Sequence, residues 1–336
     1  MRQVRPYQVV LKNSPMLIPF TSAHTADAIR IWNAASHMDY LITERLLRYN
    51  MIPCTGEVIE GRVAIHNKEA IGFALACAVT NDPSITLGWV SAIAVHPSAQ
   101  RQGIGSELLT WAENWLKDKG CKRIRIGGNL RPFAPGLPSP TRAEPDGEAG
   151  RGGEGVRSFF TKHGYKSPSG QPYEYDMARS LKNYQPIYSK PAHTDLSPMK
   201  SGEEYLLLEF LEREYPGRWE FEAKEFIKNA GRASDYLLLR VNDVVHGSCR
   251  LTLSDSDHPI ERFYPQRLSP PWGQFGSLGV SKTIRGQGLG GYLIDAAALH
   301  LQSLGVDGCV IDWTSLVELY KKFGFKVYNQ YISLFK

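Results

Sequence analysis

The sequence predicts an α/β protein built from two tandem copies of one mixed-sheet unit, and three observations carry that expectation. The chain has 336 residues, enough for two domains that each bury a core. Its 42% hydrophobic and 22% charged residues are ordinary for a globular protein. Above all, one pattern occurs twice. Ser91–Gly128 and Gly276–Trp313 align when Gly103 is placed on Gly288, so that Ile93 meets Leu278, Val95 meets Val280, Gln100 meets Arg285 and Gly105 meets Gly290. Each copy reads as a β-run, a short polar turn, Gln-Gly-(Ile/Leu)-Gly, an amphipathic helix and a second β-run. Apolar residues recur at helical spacing at Leu108, Leu109, Ala112 and Trp115–Leu116, and again at Leu293, Ile294, Ala297, Leu299 and Leu301.

In chain order, the first copy opens with a strand at MLIPF and helices in TADAIRIWNAAS and ITERLLRYN. Strands follow in EGRVAIHNK, EAIGFALACAV and LGWVSAIAV. The second copy shows helices in EEYLLLEFLEREY and FEAKEFIKNA, then strands in DYLLLRVN, DVVHGSCRLTL and GQFGSLGV, and closes on a strand in KVYNQYISLFK. Between them NYQPIYSKPAHTDLSPMKSG has several prolines and little periodicity, so it reads as a connection. The expected division is a first domain over 1–182, a linker over 183–200 and a second domain over 201–336. From the shared glycine loop to the later Gly164 or Gly324, the first copy is about 25 residues longer, through a Pro/Gly-rich insertion over 129–156. Such a loop either covers a ligand or is a surface excursion.

Composition excludes several classes of function. A net charge of +5 suits a small anionic ligand but is far from the dense basic patch of a nucleic-acid binder. No apolar run has the length of a membrane span, and MRQVRPYQVV lacks the pattern of a signal peptide. Cys54, Cys77, Cys121, Cys249 and Cys309 are odd in number and scattered, as expected of reduced thiols in a cytoplasmic protein. His246 and Cys249 form H-x-x-C with no second pair at metal-ligand spacing, so no metal is expected.

The repeated loop has a chemistry of its own. Gly286, Gly288 and Gly291 satisfy G-x-G-x-x-G, but five residues separate Val280 from Gly286, and the first copy has Arg101 and Ser106 where two of those glycines stand. A dinucleotide fingerprint needs its first glycine directly after the strand. A Walker A loop is excluded because no G-K-[ST] follows. What both copies keep is (Arg/Gln)-x-x-G-x-G, which brings backbone N–H groups to a turn that opens a helix and polarises it for phosphate. Arg285 adds charge, whereas Gln100 only donates hydrogen bonds. Tight strand–helix packing is the other reading of these glycines.

"IAVHPSAQRQGIG" and "LGVSKTIRGQGLG" resemble the hallmark of the GNAT superfamily of N-acetyltransferases, here present as a tandem pair. The resemblance implies that each domain has a mixed central sheet whose fourth and fifth strands splay, flanked by helices. It implies acetyl-CoA as cosubstrate, its pyrophosphate on the loop and its pantetheine arm along the preceding strand. Carried over, it implicates Leu278, Val280, Arg285, Gly286, Gln287, Gly288, Leu289 and Gly290. In the first copy it implicates Ile93, Val95, Gln100, Arg101, Gln102, Gly103, Ile104 and Gly105.

Relatives often carry a tyrosine four residues before a Gly-(Phe/Tyr) pair, where it protonates the departing thiolate. The second copy has Tyr320 before Gly324; the first has Phe160 before Gly164, and phenylalanine has no proton to give. Tyr320 is therefore the expected general acid and the second copy the catalytic one, although Tyr320 also fits a core aromatic. A phenol of pKa about 10 can hydrogen-bond a thiolate leaving group and pass it a proton. Backbone N–H near Val280 is the expected oxyanion donor. No glutamate lies in GQFGSLGV; Asp312, Glu220 and Glu222 remain open as bases, and Asp312 also fits a satisfied strand-end carboxylate. Phe263, Tyr264, Arg267 and Trp272 either line an acceptor pocket or pack on the domain. The expected reaction is acetyl transfer to a primary amine of a small molecule by direct attack. The resemblance to domains found beside glucosaminidase-type enzymes points to an amino sugar. A protein lysine or N-terminal acetyltransferase and a non-catalytic acetyl-CoA sensor are the alternatives. The expected partners are the small-molecule amine alone, with no nucleic acid and no membrane, in a monomer or homodimer.

Overall fold

The computed structural model describes residues 14–36, 40–138, 153–169, 173–264 and 268–336. These divide into two compact units. The first holds the described residues up to Glu174 together with Asn329–Lys336, and the second holds Tyr175–Tyr328.

The first unit's sheet has the order β1-β2-β3-β4-β5, formed by β1 (Met16–Pro19), β2 (Glu57–His66), β3 (Glu69–Val79), β4 (Leu87–Val95) and β5 (Arg123–Ile126). All neighbours are antiparallel except β4 and β5, which are joined by the crossover helix α3 (Ile104–Asp118). Such a parallel pair needs a crossover of this kind. β3 presents Ala74, Ala76 and Ala78, and these small side chains let Leu108, Leu109, Ala112 and Leu116 of α3 lie close on the sheet. Helices α1 (Thr25–Ala35) and α2 (Glu44–Asn50) precede β2; Thr43 caps α2 by accepting from Leu46 N–H at 3.1 Å. Helix α4 (Gly153–Lys162) follows the short strand β6 (Leu137–Pro138). The expected 129–156 excursion falls partly outside the described residues, at 139–152.

Two strands are placed differently from chain order. Most of β7 (Tyr173–Ser180) belongs to the second unit and pairs antiparallel with β12 (Gly308–Thr314). The second half of β13 (Lys326–Ile332) belongs to the first unit, where Tyr331 and Ile332 pair with β6. Leu334 and Lys336 then extend the first sheet beyond β5 through Ile126 N–H to Leu334 C=O (3.1 Å) and reciprocal bonds between Ile124 and Lys336 (2.8 and 2.9 Å).

The second unit's strands run in the order β8-β9-β10-β11-β12-β7, with β8 (Thr194–Pro198), β9 (Tyr236–Val241), β10 (Val244–Thr252) and β11 (Trp272–Val280). The expected 183–200 linker therefore contains an edge strand: β8 pairs antiparallel with β9 over its whole length. Helices α5 (Glu204–Glu214) and α6 (Arg218–Lys228) bury Leu207, Phe210, Leu211, Ala223 and Phe226 against Tyr236 and Leu238. Helix α7 (Leu289–Ser303) buries Leu293, Ile294, Ala297 and Leu301 against Leu237, Leu239, Cys249 and Phe275, and α8 (Val317–Lys321) follows β12.

Candidate active site

In each unit the strand before the loop runs on past the end of its parallel pairing. β11 and β12 pair from Trp272↔Gly308 to Gln274↔Val310, yet continue to Val280 and Thr314. β4 and β5 pair only as far as Val90↔Ile126. A bulge helps turn the strand away: the β10–β11 register shifts between Ser248 and Arg250, with Ser277 at φ 45°, and β3–β4 shifts between Leu75 and Ala76. The expected splay is present in the second unit, where both strands run on unpaired with each other; in the first, β4 runs on past the end of β5.

The loop has one backbone design in both copies. A short 3₁₀ turn (Lys282–Ile284 or Pro97–Ala99) leads to an extended Arg285 or Gln100, then two left-handed residues two apart. These are Gly286 (φ 82°) and Gly288 (φ 81°), matched by Arg101 (φ 65°) and Gly103 (φ 86°). Glycine enters that region without strain; Arg101 does so at a cost. Gly288 is the N-cap of α7, and the helix ladder begins with Tyr292 N–H to Gly288 C=O at 2.9 Å. The N–H groups ahead of that bond have no intrahelical acceptor and form the positive end of a fifteen-residue helix. Leu289 and Ile104 are buried, anchoring the helix start. Gln287 is exposed and Gln102 half-buried, and Leu278, Val280, Ile93 and Val95 are half-buried strand residues ahead of the loop. Gly290 and Gly105 lie in the first turn.

The first motif residue ties the loop to the strand. Arg285 Nε donates to the Val280 carbonyl at 3.4 Å, and its Nη2 lies 3.1 Å from the Tyr215 hydroxyl, which itself donates to the Val280 carbonyl at 2.8 Å. Gln100 Nε2 makes the matching bond to the Val95 carbonyl at 2.9 Å. The guanidinium is thus a brace as well as a charge.

Tyr320 sits on α8, 7% exposed, with Phe325 edge-on at 6.1 Å. Among the described residues its hydroxyl has no hydrogen-bond partner. Burial, then the nearby Cys249, Asp312 and Cys309, raise its pKa, so it is a protonated phenol at neutral pH. Phe160 is the fully buried counterpart in α4.

Asp312 lies on β12 beyond the point where pairing ends. Gln274 Nε2 donates to its Oδ1 at 2.9 Å, and Thr252 donates to Gln274 Oε1 at 2.8 Å. Burial raises the Asp312 pKa against the pull of Arg262 and Arg218, and Glu222 raises it further. The other two carboxylates are committed elsewhere. Glu220 accepts from Gly217 N–H and Lys224 at the start of α6, and Glu222 pairs with Arg218 at 2.6 Å. Thr252 and Gln274 were not legible as site residues; the one signal was an amide inside an otherwise apolar β-run.

Two family models match the chain, one in each half. The Acetyltransferase (GNAT) family model matches residues 28–131 and an Acetyltransferase (GNAT) domain model matches 232–327, together more than half of the chain. The chain is a tandem member of the GNAT acetyltransferase family. That family uses acetyl-CoA as cosubstrate. At the level of whole sequences, no curated protein matches this tandem GNAT chain. Solved structures share its fold. The glucosamine N-acetyltransferase region of a fungal multi-domain β-N-acetylglucosaminidase aligns with TM-score 0.81 at 19% identity over 97% of this chain, which spans 38% of the fungal chain. A tandem GNAT protein from the clavulanic acid biosynthesis pathway aligns with TM-score 0.70 at 13% identity, covering 96% of this chain and 98% of its own. A family member from Sphaerobacter thermophilus aligns with TM-score 0.67 at 18% identity, covering 97% and 96%.

The two GNAT units differ at the helix start. In the first, Phe159 of α4 lies 3.5 Å from where a Cβ on Gly105 would stand, and His163 Nε2 is 3.1 Å from Ser106 Oγ. In the second, a Cβ on Gly290 would meet only a Val280 methyl group, at 3.9 Å. Around the expected acceptor loop, Phe263 packs with Ile260, Val310 and Trp272, and Tyr264 is buried, so these aromatics are packing residues; Arg267 lies outside the described residues. Cys249 is a fully buried thiol, and no group of three metal-ligating side chains occurs among the described residues. Among them, too, no helix is long and apolar enough to cross a membrane.

Proposed function

We propose that the second unit transfers an acetyl group from acetyl-CoA to the primary amine of a small molecule, with an amino sugar as the acceptor class. The observation that carries this reading is the buried phenol of Tyr320, whose hydroxyl has no hydrogen-bond partner among the described residues, in the unit that keeps the cationic Arg285 at its loop. The amine nitrogen adds to the thioester carbonyl to give a tetrahedral oxyanion, the C–S bond breaks as this collapses to the amide, and the departing thiolate takes the Tyr320 proton. The proton lost by the amine passes, through water, to Asp312, whose raised pKa suits a proton acceptor. Backbone N–H groups of the bulged β11 meet the oxyanion, and the loop Arg285–Gly290 with the α7 N-terminus holds the pyrophosphate. The amino-sugar class is supported by the name of the fungal relative, a glucosamine N-acetyltransferase region.

The test is thiol release from acetyl-CoA by the purified chain with and without glucosamine, with product mass read alongside. Glucosamine-dependent release with acetylated sugar is the expected result. Acetylation confined to peptide amines would replace the acceptor class, and failure to bind acetyl-CoA would overturn the whole reading.

A further inference from the structure

The connecting segment before β8 is held to the cofactor helix by a dedicated anchor. Asp295 of α7 is 1% exposed, and its Oδ2 accepts from the backbone N–H of Ile187 (2.8 Å) and Tyr188 (2.6 Å). Its Oδ1 accepts from the buried Tyr184 hydroxyl. A buried carboxylate is costly unless its acceptor sites are filled, and here three donors from one short strap fill them.

What this anchor positions is an aromatic ring beside the glycine loop. Tyr188 stacks on Phe323 at 5.9 Å with 21° between planes, and its ring lies 3.6 Å from where a Cβ on Gly288 would stand. A Cβ on Gly291 would come within 2.5 Å of the same ring, so the ring rests directly on the first turn of α7. Yet Tyr188 stays 37% exposed. Burial alone does not explain fixing a ring that remains in water.

Beyond the ring the surface is concave. Tyr188, Lys190, Leu196, Tyr292, Leu299 and His300 contribute to a cleft of about 430 Å³ along α7. It offers apolar and aromatic walls with one cation, Lys190, and the His300 imidazole, which burial holds below its usual pKa, while the Asp295 carboxylate in its wall is taken up by the strap. Among the described residues the first unit shows no such strap over its helix start: Phe159 of α4 and His163, just after that helix, pack there.

We infer that Tyr188 is a positioning residue for the nucleotide end of the cofactor, its ring packing against the adenosine while the loop holds the pyrophosphate. This rests on the acetyl-CoA reading of the same site. It assigns the strap over 184–190 to cofactor recognition, and it requires the nucleotide end and the thioester end to be separable in experiment.

Acetyl-CoA, acetyl-pantetheine (which lacks the nucleotide) and adenosine 3′,5′-bisphosphate (which carries the nucleotide end alone) make that separation. Tyr188→Ala should weaken acetyl-CoA binding and raise the inhibition constant of the bisphosphate by about tenfold, the scale of one lost base–aromatic stack. The rate with acetyl-pantetheine should not change, and Tyr188→Phe should restore binding. Equal losses with both thioesters, unchanged binding, or tighter binding from removal of a plug would each overturn the inference. If the unaltered chain binds acetyl-CoA but none of these differences appears, only the role of Tyr188 falls. If it binds no acetyl-CoA, the proposed function falls with it.

Discussion

Gln274 donates from Nε2 to Asp312 Oδ1 at 2.9 Å, just past the point where β11 and β12 part. The amide is oriented from behind: the Thr252 hydroxyl donates to Gln274 Oε1 at 2.8 Å, which leaves the NH₂ group facing the carboxylate. Thr252 and Gln274 are paired across β10 and β11 and both are buried, so the relay is set by strand register. Among the described residues Gln274 is the one side-chain donor to Asp312, which leaves further acceptor capacity on its two oxygens. Burial holds its pKa above the usual carboxylate range, which favours a group that takes up a proton.

Asp312→Asn should therefore lower kcat/KM by about 10²–10⁴-fold, the usual range for a lost general base. In the unaltered chain the acid limb of the pH–rate profile should lie above the ordinary aspartate pKa of about 3.9, and the substitution should abolish that limb. Stability should move the other way. A carboxyl whose folded pKa is raised contributes stability that is present at low pH and lost as pH rises through the folded pKa. Asn escapes that loss, so the variant's advantage should grow from acidic to neutral pH in denaturant titrations. An unchanged rate profile would remove Asp312 from the chemistry.

Tyr320→Phe removes one hydroxyl that has no hydrogen-bond partner among the described residues and keeps the ring that meets Phe325 edge-on. The fold should be unaffected and acetyl-CoA binding preserved, while kcat falls by about 10²-fold or more, as for a lost general acid. Binding measured by calorimetry against kcat measured by thiol release separates these two effects. Full activity in the variant would reassign Tyr320 to the core.

The two loops should not bind cofactor equally. Phe159 packs on the first helix start at Gly105 and His163 meets Ser106, whereas Gly290 of the second is clear and Arg285 stands where the first loop has the neutral Gln100. Calorimetric titration with acetyl-CoA is expected to give one site per chain. Arg285→Ala should weaken that site, since it removes both a cation and the brace to the Val280 carbonyl. Gly288→Ala should weaken it as well, because φ 81° costs an L-residue about 1–2 kcal/mol. Two sites would mean that the first unit binds as well, and one that survives Arg285→Ala would place binding in the first unit.

Much of this was readable in the residues, for a definite reason. The repeated strand–loop–helix frame is local: helical spacing at Leu108–Leu116 and the glycines at 286 and 288 act within a few residues of themselves. Long-range pairing leaves no such trace. Nothing in PYEYDMARS says that β7 pairs with β12, and nothing in Leu334–Lys336 says that these residues pair with β5. β8 is short and ends on Pro198, so it read as a linker until its partner β9 was visible. At the candidate site, the loop was legible from its repetition and Tyr320 was singled out through the family resemblance. The Thr252–Gln274–Asp312 relay was not legible, because it joins three strands, and the Tyr188 strap was not, because its anchor is a helix residue more than a hundred positions away.

Leu334 tests the least local of these pairings. It is fully buried in the first unit's core, beside Ile126, Phe160 and Tyr165, and its carbonyl accepts from Ile126 N–H at 3.1 Å. Leu334→Ala should cost about 2–5 kcal/mol, the range for deleting a buried leucine side chain, and should lower the unfolding midpoint by several degrees. Removing residues 334–336 should do more, because the outer edge of β5 loses the bonds at Ile124 as well. Amide exchange at Ile124 and Ile126 should then rise ahead of the rest of the sheet. A Leu334→Ala chain that unfolds at the parent's midpoint, with Ile124 and Ile126 still protected, would mean that these last residues do not complete the first sheet.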